Sequence, residues 1–188
     1  MTAIYGAAEA TIPVRVEAPR SGPTALGTDG GIINSNDGTL AVMIPPGALE
    51  QNTTVSIAPV NQQNLSLPLP PGFEFAGAFN LNFGDNSLNI PAQLAIPAPE
   101  GLAPGTQAYF LRKGAIPDAT GTWNPIWLQE ESGIVGDDGF IRTQSPPYPG
   151  VVRPGEYAVV YDGEAGSATL VKGQLTLTSY FPRIFWRH

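Results

Sequence analysis

The sequence contains no cysteine, and its one histidine, His188, is the last of its 188 residues. The absence of cysteine excludes disulfides, thiol nucleophiles and thiolate metal sites. A hydrolytic triad needs a base to take the proton of its nucleophile, and that base is usually histidine. Because the only histidine stands at the terminus, we expect no triad and predict that the chain is not an enzyme.

Clustered basic residues and long apolar runs are also missing. The formal net charge is −7, and the nine basic residues are mostly scattered, so no surface that tracks phosphates is indicated. No stretch approaches the roughly 18 apolar residues of a membrane span. Residues 1–10 lack the basic start and apolar run of a signal peptide. We expect no nucleic-acid partner and no membrane span.

Uninterrupted helical windows are absent as well. The chain has 20 prolines and 22 glycines, which fall every few residues and together exceed a fifth of its length. Both residue types disfavour helix interiors, so we expect very little helix. The one segment that suits a helical turn is residues 46–49, where proline opens the turn.

Short runs of β-branched and aromatic residues with a period of two fill the space between turn residues, as half-buried strands do. The clearest lies at 73–83, where the alternate residues from Phe73 to Phe83 share one side and Gly77 suggests a bulge or bend. This spacing predicts an all-β fold, an antiparallel β-sandwich of about ten strands with an extra C-terminal strand and tail. The predicted strands are 11–17, 39–44, 53–59, 73–83, 92–96, 107–112, 123–129, 140–143, 157–161 and 167–178.

The chain divides into three parts by composition. Residues 1–10 are small and weakly patterned, which indicates a flexible N-terminal segment or a pairing strand. Residues 11–162 carry the strand pattern and form the predicted sandwich. Residues 163–188 form a last strand with an aromatic and basic tail, and a link of small residues, 162–167, leads into that strand.

Residues 44–49, Ile-Pro-Pro-Gly-Ala-Leu, follow a glycine-rich strand that begins at Gly30 and precede a strand that ends in Pro59-Val60. This order resembles the signature of the ZU-five domain, a β-sandwich of ankyrins, netrin receptors and many bacterial surface proteins. Weaker similarity extends the match over residues 30–161. The resemblance implies the sandwich fold and, by analogy, a role in scaffolding.

Some ZU-five domains cleave their own backbone at a His-Phe-Ser triplet near the end of the sandwich. At the corresponding place this chain has Ser145 followed by Pro-Pro-Tyr, with no histidine nearby. We therefore predict an intact chain on a denaturing gel. Two discrete fragments would contradict this.

Acidic pairs offer a second candidate chemistry. Glu130 and Glu131, like Asp137 and Asp138, are adjacent in sequence, so each pair splits across strand faces or sits on a turn rather than across a cleft. We expect both pairs on solvated hairpins. The acidic turns could still supply oxygen ligands to calcium, with Asp137 and Asp138 the first candidates, although the spacing of a dedicated loop is missing.

Two tryptophans stand four residues apart in one predicted strand. Trp123 and Trp127 should therefore point to the same face, where they most simply fill the core. The alternative is an exposed surface on which a carbohydrate ring stacks.

The C-terminal tail is apolar and basic on an otherwise acidic chain, and a free monomer should not leave it in water. It could fold back on its own domain, or it could pair with an exposed sheet edge of a neighbouring copy to form an oligomer or fibre. Its candidate interaction residues are Tyr180, Phe181, Ile184, Phe185 and Trp186.

Together these features predict a non-enzymatic structural or interaction module of an extracellular or cell-surface protein. Its expected partner is a protein, either itself or another surface protein, and it needs no cofactor. A carbohydrate-binding or calcium-dependent adhesion module is the alternative.

Overall fold

A computed structural model of the chain describes residues 2–5, 8–11, 20–145, 147 and 149–163, with side chains from residue 20 onward. The described residues form thirteen strands and one short 3-10 turn, Gln62–Asn64, and contain no α-helix. The all-β prediction is confirmed. The strands are β1 (Thr2–Tyr5), β2 (Ala8–Thr11), β3 (Arg20–Ser21), β4 (Thr24–Leu26), β5 (Gly31–Asn34), β6 (Ala41–Ile44), β7 (Thr53–Pro59), β8 (Phe73–Asn82), β9 (Gln93–Pro97), β10 (Gln107–Pro117), β11 (Trp123–Val135), β12 (Phe140–Thr143) and β13 (Gly155–Asp162).

Eleven strands hydrogen-bond into one sheet in the order β3-β5-β6-β9-β12-β11-β10-β13-β8-β7-β4, and β1 and β2 form a separate hairpin. The two edge strands, β3 and β4, are joined by only Gly22 and Pro23. The sheet must therefore curl until its edges nearly meet, which brings it close to a closed barrel. One pair, β3 with β5, is parallel, so the prediction of a purely antiparallel arrangement was wrong.

The curled sheet encloses one apolar core. Phe79, Phe110 and Tyr157 are fully buried at its centre, and the rings of Phe79 and Tyr157 stack at 5.1 Å between centroids. The Tyr157 hydroxyl donates to the carbonyl of Arg153 at 2.7 Å, so burying this ring leaves no polar atom without a partner. Each such side chain contributes roughly 1.5–3 kcal/mol through apolar burial.

Residues 45–48 form a β-turn where a helical turn was predicted at residues 46–49. The N–H of Ala48 donates to the carbonyl of Pro45, and Gly47 has a φ of 78°, which only glycine adopts without strain. The turn directs Ala48 and Leu49 into the core, where they are 2% and 7% exposed. These residues therefore close one end of the core.

A bulge in β8 changes which phenylalanines share a face. Val159 lies opposite Gly77 while its neighbour Val160 lies opposite Phe75, so Ala76 is left unpaired. The bulge expected at Gly77 is confirmed to within one residue. Because an extra residue inverts the alternation, Phe73 and Phe75 do not share the face of Phe79, and that part of the prediction was wrong.

The expectation of two solvated glutamates on β11 was also wrong. A second bulge leaves Glu130 unpaired, and its carboxylate accepts a hydrogen bond from Arg112 at 2.6 Å. Glu131 is only 4% exposed. Its carboxylate accepts the backbone N–H groups of Ser132, Ser145 and Gly150 at 2.7, 3.0 and 2.5 Å. Glu131 therefore ties β11 to the segment that precedes β13.

The predicted strand at 167–178 lies outside the described residues, as does most of the one at 11–17. Within the described part of the chain, no helix is long and apolar enough to cross a membrane.

We predict that Glu131→Ala lowers the free energy of unfolding by about 2–4 kcal/mol, because three backbone donors lose their acceptor in a buried place. Glu131→Gln should cost less, since one amide oxygen remains. Urea denaturation measures both. Glu100→Gln, which changes an exposed carboxylate, is the matched control and should stay within about 0.5 kcal/mol of the wild type. A wild-type value for Glu131→Ala would contradict the role given to this side chain.

Candidate interaction surface

β10 and β11 continue beyond the body of the sheet. β13 pairs with β10 only along residues 108–112, and β12 pairs with β11 only along residues 133–135. From residue 113 to residue 127 the two strands pair only with each other among the described strands. We call residues 113–127 the arm.

The tip of the arm is a polar turn built around Asp118. The N–H of Asp118 donates to the carbonyl of Thr122 at 2.9 Å, and Gly121, with a φ of 83°, donates to the carbonyl of Asp118 at 3.0 Å. The Asp118 carboxylate accepts the hydroxyl and N–H of Thr120, the N–H of Thr122 and the side-chain amide of Asn124. The Thr120 hydroxyl contributes most, and together these donors lower the pKa of Asp118 to about 2.

One face of the arm, which we call its outer face, is almost entirely apolar. The register sets Pro117 opposite Trp123, Ala115 opposite Pro125, and Lys113 opposite Trp127. Strand alternation puts these six residues on one side. Trp123 is 68% exposed, whereas Trp127 is half-buried, and its indole N–H donates to the carbonyl of Pro68 at 2.9 Å.

The register agrees with the prediction that Trp123 and Trp127 share a face, but the prediction that they fill the core was wrong. The physical reason is the length of the hairpin. Because β10 and β11 run past the end of the sheet, Trp123 has no buried core beneath it and stands in solvent.

The opposite face of the arm is apolar too. Ile116 and Ile126 are 47% and 37% exposed, and both lie on the same face of the ribbon as Asn124. Lys113 and Asp118 are the only charged residues of the arm. A ribbon with apolar side chains exposed on both faces is unusual for a monomer and is typical of an interaction site.

A segment at residues 60–72, which we call the strap, braces the base of the arm. The N–H of Ser66 donates to the Glu156 carboxylate at 2.9 Å, and its hydroxyl donates to the same carboxylate. Lys113 at the base of the arm lies 4.0 Å from Glu156. Together with the bond from Trp127 to Pro68, these contacts fix where the arm leaves the body.

The calcium candidates lie in the turn between β11 and β12. Both carboxylate oxygens of Asp138 accept hydrogen bonds from Arg142, at 2.8 and 2.6 Å, and this pairing lowers the pKa of Asp138 to about 2. Asp137 is exposed beside it. Across the described ranges, no three acidic or histidine side chains come together as a metal cluster would require.

The candidate residues of the tail, from Tyr180 to Trp186, lie outside the described residues. The sequence interpretation also missed the arm itself, because it ended the strand at Arg112, before Gly114. The signal that could have revealed the arm is symmetry: two segments of equal length and mostly apolar composition, 113–117 and 123–127, flank a turn that starts at Asp118.

No protein-family model and no curated protein matches this chain. The resemblance to the ZU-five domain therefore stays a prediction based on its own residues.

The turn at the tip should respond to acid at an unusually low pH. The lowered pKa of Asp118 stabilises the turn fully above about pH 3.8, and this contribution is lost as the pH falls through about 2. We expect the amide resonances of Thr120 and Thr122 to titrate with a midpoint near 2 in NMR spectra. In Asp118→Asn this titration should vanish and both amides should exchange faster with solvent. A midpoint near the ordinary value of 3.8 would contradict the hydrogen-bond pattern.

Proposed function

We propose that this chain is a non-enzymatic structural or interaction module of an extracellular or cell-surface protein. It binds proteins through the arm, and other copies of itself are its first partners. The single observation that carries the proposal is the arm, a hairpin that leaves the sheet with apolar side chains exposed on both faces. The composition of the tip and the unpaired edges of the arm indicate which class of partner it binds.

A protein partner suits the arm better than a lipid surface does. The tip is the part that would enter a membrane first, and it consists of an aspartate, an alanine, two threonines and a glycine held in a hydrogen-bonded turn. Burying those groups in hydrocarbon would cost several kcal/mol for each unsatisfied one. Lys113 is the only basic residue of the arm, so the arm would be attracted only weakly to the anionic headgroups of a membrane.

A partner can be held by the backbone of the arm as well as by its side chains. Residues 113–117 of β10 and 123–127 of β11, the two strands of the arm, have no second neighbouring strand among the described strands. Unpaired edges of this kind accept an added strand, while the apolar faces on either side contribute the burial. The curled sheet serves as a rigid body, which we take to be a ZU-five-like sandwich, and it holds the arm in place.

The test is self-association of the purified full chain. Sedimentation velocity over a wide range of concentrations should show association of the wild type, weakened about tenfold or more in Trp123→Ser. Ile32→Ser is the matched control, because Ile32 is also a large exposed apolar residue, at 42%, but lies on β5 away from the arm. A wild type that stays monomeric, or equal effects of the two substitutions, would overturn the proposal.

The second candidate is a carbohydrate-binding adhesion module, favoured by the two indole rings of Trp123 and Trp127, which lie on one face with Pro125 between them. Exposed tryptophan rings can stack on sugar rings. Binding of the full chain to a glycan array, lost in Trp123→Ser while self-association persists, would favour this function. A calcium-dependent form would require Asp138 to leave Arg142, and a rise in melting temperature on adding calcium would reveal it.

A further inference from the structure

We infer that the outer face of the arm is the docking site for residues 180–186 of a second copy, so that copies join head to tail. This inference rests on the proposed function and names its partner segment. The argument uses three observations: where the described chain ends, how far the following residues reach, and what chemistry the two surfaces share.

The arm and the start of the tail lie at opposite ends of the same pair of strands. Tyr157 of β13 lies opposite Arg112, the last residue before the arm, whereas Tyr161 lies opposite Ala108. β13 therefore runs away from the arm. It ends at Asp162, and the N–H of the next residue, Gly163, donates to the carbonyl of Gly72. A donor segment at one end and an acceptor surface at the other define a heterologous contact, which repeats as an open chain of copies.

The length of the segment suits a neighbouring molecule. From the level of Ala108 to that of Pro117, at the far end of the arm, the strand covers about 30 Å at about 3.3 Å per residue. The 17 residue steps from Gly163 to Tyr180 can extend to about 55 Å. This reach exceeds the distance from Ala108 to Pro117 and allows residues 180–186 to meet the arm of a neighbouring copy. A turn back onto the chain's own arm is also within reach, and the experiment separates the two.

Charge attracts the tail to the acidic remainder of a chain, whether in its own copy or in a neighbouring one. Three of the nine basic residues and one of the sixteen acidic residues fall within 164–188, so this stretch carries a formal charge of +2 and the rest carries −9. Opposite net charges accelerate encounter between the tail of one copy and the body of another. The effect weakens as salt is added.

The side chains of the two surfaces match in kind. Residues 180–186 are Tyr-Phe-Pro-Arg-Ile-Phe-Trp, an apolar aromatic segment, and the outer face presents Trp123, Pro125 and Ala115. Aromatic pairs contribute about 0.5–1.5 kcal/mol beyond the area they bury. Arg183 adds a cation that can stack on the exposed indole of Trp123.

The test uses the absence of cysteine, which makes every engineered thiol unique. One full-length chain carries Ala115→Cys on the outer face, and another carries Ser179→Cys beside the docking segment. One of the two is lengthened by a tag, so that a mixed dimer differs in mass from dimers of like chains, and the two are mixed under oxidising conditions and separated on a non-reducing gel. We expect a mixed disulfide dimer, formed about tenfold more than with a control chain that carries Asn86→Cys at an exposed loop position instead of Ala115→Cys. Adding Phe185→Ser and Trp186→Ser to the tail chain should abolish the excess.

A further chain with both Ala115→Cys and Ser179→Cys distinguishes docking of another copy's tail from docking of the chain's own tail. A ladder of covalent oligomers supports head-to-tail docking, whereas a cross-linked monomer shows that the chain's own tail covers the arm and overturns the inference. Mixed dimers no more frequent than with the Asn86→Cys control overturn it as well. If the wild type self-associates in sedimentation but the two cysteine chains form no excess of mixed dimers, only the assignment of the tail as the docking segment fails. If it does not self-associate at all, the proposed function fails.

Discussion

The near-closure of the eleven-stranded sheet is the constraint on which the rest of the structure depends. Because Gly22 and Pro23 join the two outermost strands, the sheet has to bend around its own core, and its ends shield each other. Closure of this kind removes the long unpaired edges that make β proteins associate without control. The arm runs beyond this closed part and has no neighbouring described strand on either of its edges, which makes it a natural contact surface.

Two bulges determine which side chains meet inside and outside this curled sheet. The bulge at Ala76 turns Phe73 and Phe75 away from the core, and Phe73 packs edge-on against Tyr109 at 5.7 Å. The bulge at Glu130 brings that carboxylate to Arg112, while the following residue, Glu131, keeps its own carboxylate buried. Bulges alter the twist of the strand that carries them. The bulge at Glu130 lies on β11, which continues into the arm, and the bulge at Ala76 lies on β8, which pairs with the β13 neighbour of β10.

The sequence predicts much of the fold but little of the surface. The strands Thr53–Pro59 and Phe140–Thr143 match the prediction residue for residue, because turn residues stand at both ends. Strand β10 ran five residues past its predicted end, since Gly114 looks like a breaker in the sequence but lies in a two-stranded ribbon. The alternation of Trp123 and Trp127 fixes a shared face, yet it carries no information on whether anything covers that face. Glu131 was misplaced because its partners, the N–H groups of Ser145 and Gly150, are distant in sequence.

The continuity of the arm with β10 has a mechanical consequence. A force that pulls outward on the arm and at Gly163 would act along two antiparallel neighbours, β10 and β13, from opposite ends. Their backbone hydrogen bonds would then be loaded in shear, all at the same time, rather than peeled apart one after another. A domain inserted in this orientation into a line of tension would give way only when the whole ladder breaks.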